Sequence, residues 1–229
     1  MSSNPRITFI ALLLFSALNV TSQTLAPTPS TTATTSPDTP VGHWVAEHPS
    51  QGGIGSWWDF RPDGTLTMHI GAVVNSPITR SGNTFTSPSA TTTGAPITVT
   101  YHVDADILHI QSPNTPEQTF TRIGPAPSPT DPLLGKWKPL PPATPSTDPN
   151  VAAQQKMMTN ATLAFSADNT ESLRVPLTSS EGTWSAATHT FQLEHVATSY
   201  SYQRSGAKLT LGQPPDNKKT DTYLPDPIL

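Results

Sequence analysis

Histidine is the residue type whose placement most suggests chemistry. Five of the seven histidines, His43, His48, His69, His102 and His109, fall in the first half of the chain. The run Ile97–Val103 alternates apolar and polar residues, as a half-buried strand does, and Ile107–Ile110 returns after Ala105-Asp106. With a two-residue loop there, His102 and His109 oppose each other on the face away from Tyr101, Val103, Leu108 and Ile110. Two imidazoles at that separation can ligate zinc or copper when a third ligand is near, and Asp104 or His69 is the candidate third. Structural sites normally need four placed ligands, so the plainer reading is two exposed, solvated histidines.

Aromatic residues offer a second kind of site. Trp57, Trp58, Tyr101 and Trp184 are candidate contacts for an apolar ligand, because aromatic side chains line such pockets. Neighbouring residues of a strand face opposite ways, which predicts one of Trp57 and Trp58 in the core and the other exposed. Core filling is the plainer reading of each. Covalent or acid–base catalysis finds little support. The chain has no Gly-x-Ser-x-Gly elbow and no His-Glu-x-x-His, and Asp104 and Asp106 flank a loop where Asp is an ordinary turn residue. With no cysteine, disulfides, thiolate metal sites and cysteine nucleophiles are excluded. Asn160-Ala161-Thr162 is a glycosylation sequon, meaningful only where exported proteins are glycosylated.

The elements that must position these residues read as strands. Proline is abundant, at 26 residues in 229, and it breaks helix interiors. The single helix candidate is Pro149–Thr159, with Asp148 as its N-cap. Asp63-Gly64 suits a turn needing positive φ, and Asp168-Asn169 is its chemical counterpart. Charged residues make up 12% of the chain with a net charge of −4 and no basic stripe, which makes nucleic acid a poor partner. Arg6 followed by the apolar run Phe9–Leu18 and small residues reads as a signal peptide over residues 1–26, with cleavage after Ala26 or after Ser22. The run is too short for a transmembrane anchor, and no stable span is expected after cleavage. Residues 27–40, rich in Pro, Thr and Ser, read as a tether.

Landmarks then recur in the same order. Gly42-His43-Trp44 answers Gly135-Lys136-Trp137, and Trp58–Gly64 answers Leu163–Asn169. Thr84-Phe85 corresponds to Thr183-Trp184, and the hairpin Ile97–Gln111 to Val196–Leu211. This predicts an all-β chain of two related antiparallel modules, residues 41–124 and 133–229, joined by a linker at 125–132. The pattern resembles the bacterial lipocalin-like (calycin-type) small β-barrel domains, in tandem. It is carried by Gly42, Trp44, Phe60, Asp63, Gly64, Thr65, Tyr101, Leu108 and Arg122, then Gly135, Trp137, Phe165, Asp168, Tyr202 and Leu209. The resemblance implies that Trp44 and Trp137 close the bases of two barrels and that Arg122 packs across Trp44 as a cation–π lid. The second module departs from it, with Leu224 near the place of the arginine. A shared fold does not fix function.

These readings describe a periplasmic or secreted, non-enzymatic protein that needs no cofactor and binds a small apolar or amphipathic ligand in a barrel cavity. The alternatives are an envelope or secreted interaction module with filled barrels, taking a protein or glycan partner, and a metal-binding protein using His102 and His109.

Overall fold

The computed structural model describes residues 38–50, 53–88, 95–113, 117–124, 128, 130–141, 147–213, 219–226 and 228; the expected signal peptide and most of the tether lie outside the described residues. The chain opens with β1 Gly42–Ala46, β2 Ile54–Phe60 and β3 Thr65–Pro77. Next come β4 Thr79–Ser81, β5 Thr84–Ser87, β6 Ile97–Asp104, β7 Ile107–Gln111 and β8 Gln118–Ile123. The second half carries β9 Gly135–Pro139, the helix α1 Pro149–Met158, β10 Thr162–Phe165 and the long β11 Thr170–Ser185. It ends with β12 Thr190–Leu193, β13 Tyr200–Ser205, β14 Lys208–Gln213 and β15 Lys219–Pro225. The fold is all-β, with every strand in one antiparallel sheet.

Local chemistry accounts for the turns. Gly64 has φ +84°, where glycine meets no steric cost, and Asn169 takes φ +62° at the matching turn. Asp63 accepts from the Thr65 backbone N–H at 2.9 Å, and Asp168 accepts from Thr170 N–H at 3.1 Å. Each aspartate thus holds its own tight turn, an Asx arrangement.

The sheet closes on itself twice. In the first barrel β1, β2 and the start of β3 pair onward to the end of β11, β12, β13, β14 and β15, and β15 returns to β1. The second barrel joins the start of β11 to β10, β9, β8, β7, β6, β5 and β4; β4 continues β3 after the buried Ile78. Each barrel therefore takes strands from both sequence repeats. This corrects the expectation that residues 41–124 and 133–229 close separately. The segment expected as a linker connects β8 to β9, two neighbours in one barrel, and Asp131 within it pairs with Arg80 at 2.5 Å.

The physical cause is that β3 and β11 run straight past the points where each could have turned back. They pair from Thr65↔Thr183 to Pro77↔Thr170. Leu66 enters the first core, while Ala72, on the same face of β3, enters the second. On β11 a bulge between Pro176 and Thr178 shifts the alternation by one residue. Leu173 and Val175 consequently point into the second core, whereas Trp184 packs on the first. Gly71 faces the bulge, and a Cβ there would collide with Val175 O.

A buried ion pair fastens the chain end to this ribbon. Arg174 on β11 is 1% exposed, and its Nε and Nη2 donate to the Asp226 carboxylate at 3.1 and 3.0 Å. Its Nη1 donates to Val74 O and Asn75 Oδ1 on β3. Asp226 N–H donates to His43 O at 2.8 Å, which ties the same residue to β1.

Two outcomes are expected. Removing one member of a fully buried, hydrogen-bonded pair leaves an uncompensated charge, so Asp226→Ala should cost about 3–5 kcal/mol in urea unfolding. A protease site placed at residues 125–127 and cleaved in the folded protein should leave one species on native gel filtration and two fragments in denaturant. Separation of the fragments under native conditions would contradict the shared barrels.

Candidate functional site

The inner face of β2 presents Phe60, Trp58, Ser56 and Ile54 in turn, passing from core to solvent. Trp58 is 5% exposed, edge-on to Phe191 at 5.1 Å and to Tyr223 at 6.2 Å. The Ser56 and Tyr223 hydroxyls are hydrogen-bonded to each other at 2.9 Å. Beside these groups the buried Trp58 Nε1 faces the Tyr223 hydroxyl without the geometry of a full hydrogen bond. Burial pushes the Tyr223 phenol above its ordinary value, and hydrogen bonding from Ser56 and, more weakly, from the Trp58 indole offsets part of that. Around the trio the side chains are apolar and open: Ile54 is 40% exposed and Ile70, the register partner of Ser56, is 37% exposed.

The site therefore combines a donor-only indole N–H, two hydroxyls that can donate or accept, and a hydrocarbon rim. It suits an oxygen acceptor carried on an apolar body. The barrel interior beyond it is filled, with Trp44, Phe60, Phe191, Tyr202 and Leu209 packed in one cluster. The second barrel is packed around Phe85, Leu108, Phe120, Trp137 and Phe165.

Other residues singled out in the sequence are placed as follows. Trp57 is 3% exposed, so both adjacent tryptophans are buried, which corrects the expectation of one exposed ring. Trp57 does point to the outer face of β2, but there it packs with Val45 and Val73 and stacks on His69 at 5.2 Å. Trp184 donates from Nε1 to Arg61 O at 2.9 Å and so plugs the turn between β2 and β3. Tyr101 is half-buried in the second barrel and donates its hydroxyl to Gly82 O at 3.1 Å.

The barrel bases also differ from expectation. Arg122 lies 4.0 Å from the centre of the Trp137 ring, not against Trp44, because β8 pairs with β9 and makes Arg122 and Trp137 register partners. Trp44 is instead covered by Arg204 of β13 at 5.3 Å. Both bases use one plan. Trp44 Nε1 donates to Pro40 O and Trp137 Nε1 to Leu133 O, each four residues back. Arg204 donates to Thr39 O and Arg122 to Pro132 O, the residue before each of those acceptors.

His102 and His109 are register partners with rings stacked 4.1 Å apart, and His109 Nδ1 contacts Glu117 Oε1 at 2.8 Å. His69, considered as a third ligand, bonds Ser179 Oγ at 2.7 Å through Nδ1. No group of three His, Asp or Glu side chains among the described residues is arranged to hold a metal ion. The Ser179–His69 contact resembles a nucleophile with its base, and burial lowers the imidazole below its ordinary value. Among the described residues no carboxylate is bonded to His69 to orient it.

Sequence reasoning passed over Ser56, Tyr223, Arg204 and Glu171. The alternation of Ile54–Phe60 does put Ser56 on the face of Trp58 and was a usable signal; nothing local indicated Tyr223. Glu171, on the same face of β11 as Leu173, accepts from Ser87 Oγ at 3.0 Å. No family model, curated protein or solved structure matches the chain.

Burial raises the Glu171 carboxyl above its ordinary value, with Ser87 opposing. An acid whose folded-state pKa is raised loses stability as pH rises through that pKa, since the folded form then carries a disfavoured charge. Glu171→Gln should therefore raise the Tm at neutral pH, with the gain fading as pH falls toward the ordinary Glu value of about 4.3 and absent below it. An equal gain at all pH values would place the effect elsewhere.

Proposed function

We propose that the protein is an exported binding protein that holds a small amphipathic molecule at the open end of its first barrel and performs no chemistry on it. The observation that carries this is the Trp58 indole N–H, buried beside the Ser56–Tyr223 hydroxyl pair and facing the Tyr223 oxygen without a well-formed hydrogen bond. A buried donor without a well-formed bond loses part of the roughly 1–3 kcal/mol that a fully unpaired one costs. A carbonyl or hydroxyl oxygen placed among the three groups recovers that cost, and its hydrocarbon body covers the exposed Ile54 and Ile70. The ligand sits at the barrel end because aromatic side chains take up the interior.

The lipocalin-like reading has support of the same kind. Two antiparallel barrels, each closed at its base by a tryptophan under an arginine, agree with the Gly-x-Trp pattern. Export rests on the N-terminal apolar run and its short length.

The test is a titration of the mature chain with 2-octanone, followed through the tryptophan indole N–H resonances. Trp58 should shift saturably, while Trp44, Trp137 and Trp184, which already donate to backbone carbonyls, should not. Trp58→Phe keeps a ring and loses the donor, which should weaken binding by about tenfold, the worth of one such hydrogen bond. A Trp58 signal unmoved at the solubility limit of the probe would remove the proposal. Ser56→Ala, at a half-buried position, provides the same test should Trp58→Phe fold poorly.

A further inference from the structure

A second, chemically different concavity lies on the outside of the first barrel. It has a volume of about 560 Å3, within the range of about 300–1,000 Å3 typical of ligand sites. Its floor follows from the register of three strands. Ser201 of β13 pairs with Gly212 of β14, which pairs with Thr220 of β15, and Gln203 pairs with Thr210 one step along. A glycine in the middle strand leaves a depression where its neighbours carry side chains, and all of these positions lie on the face opposite the core residues Tyr202, Leu209 and Leu211.

The lining selects for a neutral, hydroxyl-rich occupant. Ser201, Gln203, Thr210 and Thr220 each offer both donors and acceptors and carry no charge. Asp38 at the rim disfavours an anion. Arg204, the cation at the same end, is not free to hold one. Its guanidinium donates to Thr39 O at 2.9 Å and Gly206 O at 3.3 Å while covering the Trp44 ring. His189 completes the rim from a left-handed turn at φ +52°, an unfavourable conformation for a non-glycine residue, with its ring 5.6 Å from that of Tyr202. Its imidazole offers a further hydrogen-bonding group at the edge.

We infer that this groove binds a neutral oligosaccharide. The site is separate from the open end of the barrel and does not depend on ligand binding there. Sugar hydroxyls match side chains that both donate and accept, and an extended glycan runs along the groove across β13, β14 and β15. Binding at this position attaches the first barrel to a glycan surface close to the point where the tether enters, at Asp38–Pro40.

The full chain should be titrated with cellopentaose, maltopentaose and chitopentaose while backbone amide resonances are followed. At least one should give saturable shifts confined to residues 201–203, 210–212, 220 and 189, with an affinity indifferent to added salt. Thr210→Arg fills the groove from an outward-facing position; it should leave the Tm unchanged and weaken binding by about tenfold or more. Gln203→Ala, at an exposed position, serves as the second variant and should weaken binding in the same direction. No saturable shift with any of the three sugars, shifts mapping elsewhere, or an affinity that falls steeply with salt would each overturn the inference.

Discussion

The antiparallel ribbon of β3 and β11 is the constraint on which the rest of the molecule depends. Thirteen register pairs join the two strands, and each strand passes through both barrels. Because every other strand hangs from one half of this ribbon or the other, its register sets which side chains enter which core. A slip of one residue in β3 would turn Leu66 and Ala72 outward, and one in β11 would do the same to Leu173 and Val175. The bulge at Pro176–Thr178 absorbs the change in facing between the barrels, and Gly71 provides the space for it. Proline at that irregularity costs little, since the ladder is already interrupted and proline has no N–H to contribute.

Around the ribbon the two barrels are locked in equivalent ways by non-equivalent residues. Each base tryptophan is bonded to the chain four residues before it and covered by a guanidinium. In the second barrel the arginine comes from β8, directly opposite its tryptophan in the register. The first barrel has Pro225 at that register position, and Arg204 reaches across from β13. The same physical need, a planar cation over an indole face with carbonyl acceptors at its edge, is met from two strands. Arg174 and Asp226 add a third lock, with the carboxylate and the β3 acceptors satisfying the buried guanidinium.

Aromatic packing governs where binding can occur. Interiors filled by Trp58, Phe60, Phe191 and Tyr202 leave recognition to the ends and outer faces of the barrels. The two surfaces that result differ in chemistry. One end exposes isoleucines around a small polar floor, while the outer face of β13–β15 carries hydroxyls and an amide around a glycine. Neither arrangement assembles a nucleophile, base and orienter, which is why both readings are of binding.

Much of the local structure was legible in the sequence. Alternation located the β6–β7 hairpin and brought His102 opposite His109; the Asp-Gly and Asp-Asn pairs marked the positive-φ turns; proline and Asp148 marked the start of the helix. These features depend on a few neighbouring residues, and their physics is contained in a short window. Ser56 was legible on the same basis, as a polar residue on the inner face of a strand otherwise occupied by Trp58 and Phe60. Tertiary structure alone decided which strand lies beside which. Hydrophobic alternation specifies the face a residue takes and is silent about the strand next to it; the lipocalin-like resemblance implies Arg122 over Trp44, and the exchange of strands gives it Trp137 instead. The burial of Trp57 has the same origin, because an outward position is exposed only where nothing packs outside it, and Val73 of the ribbon does so here.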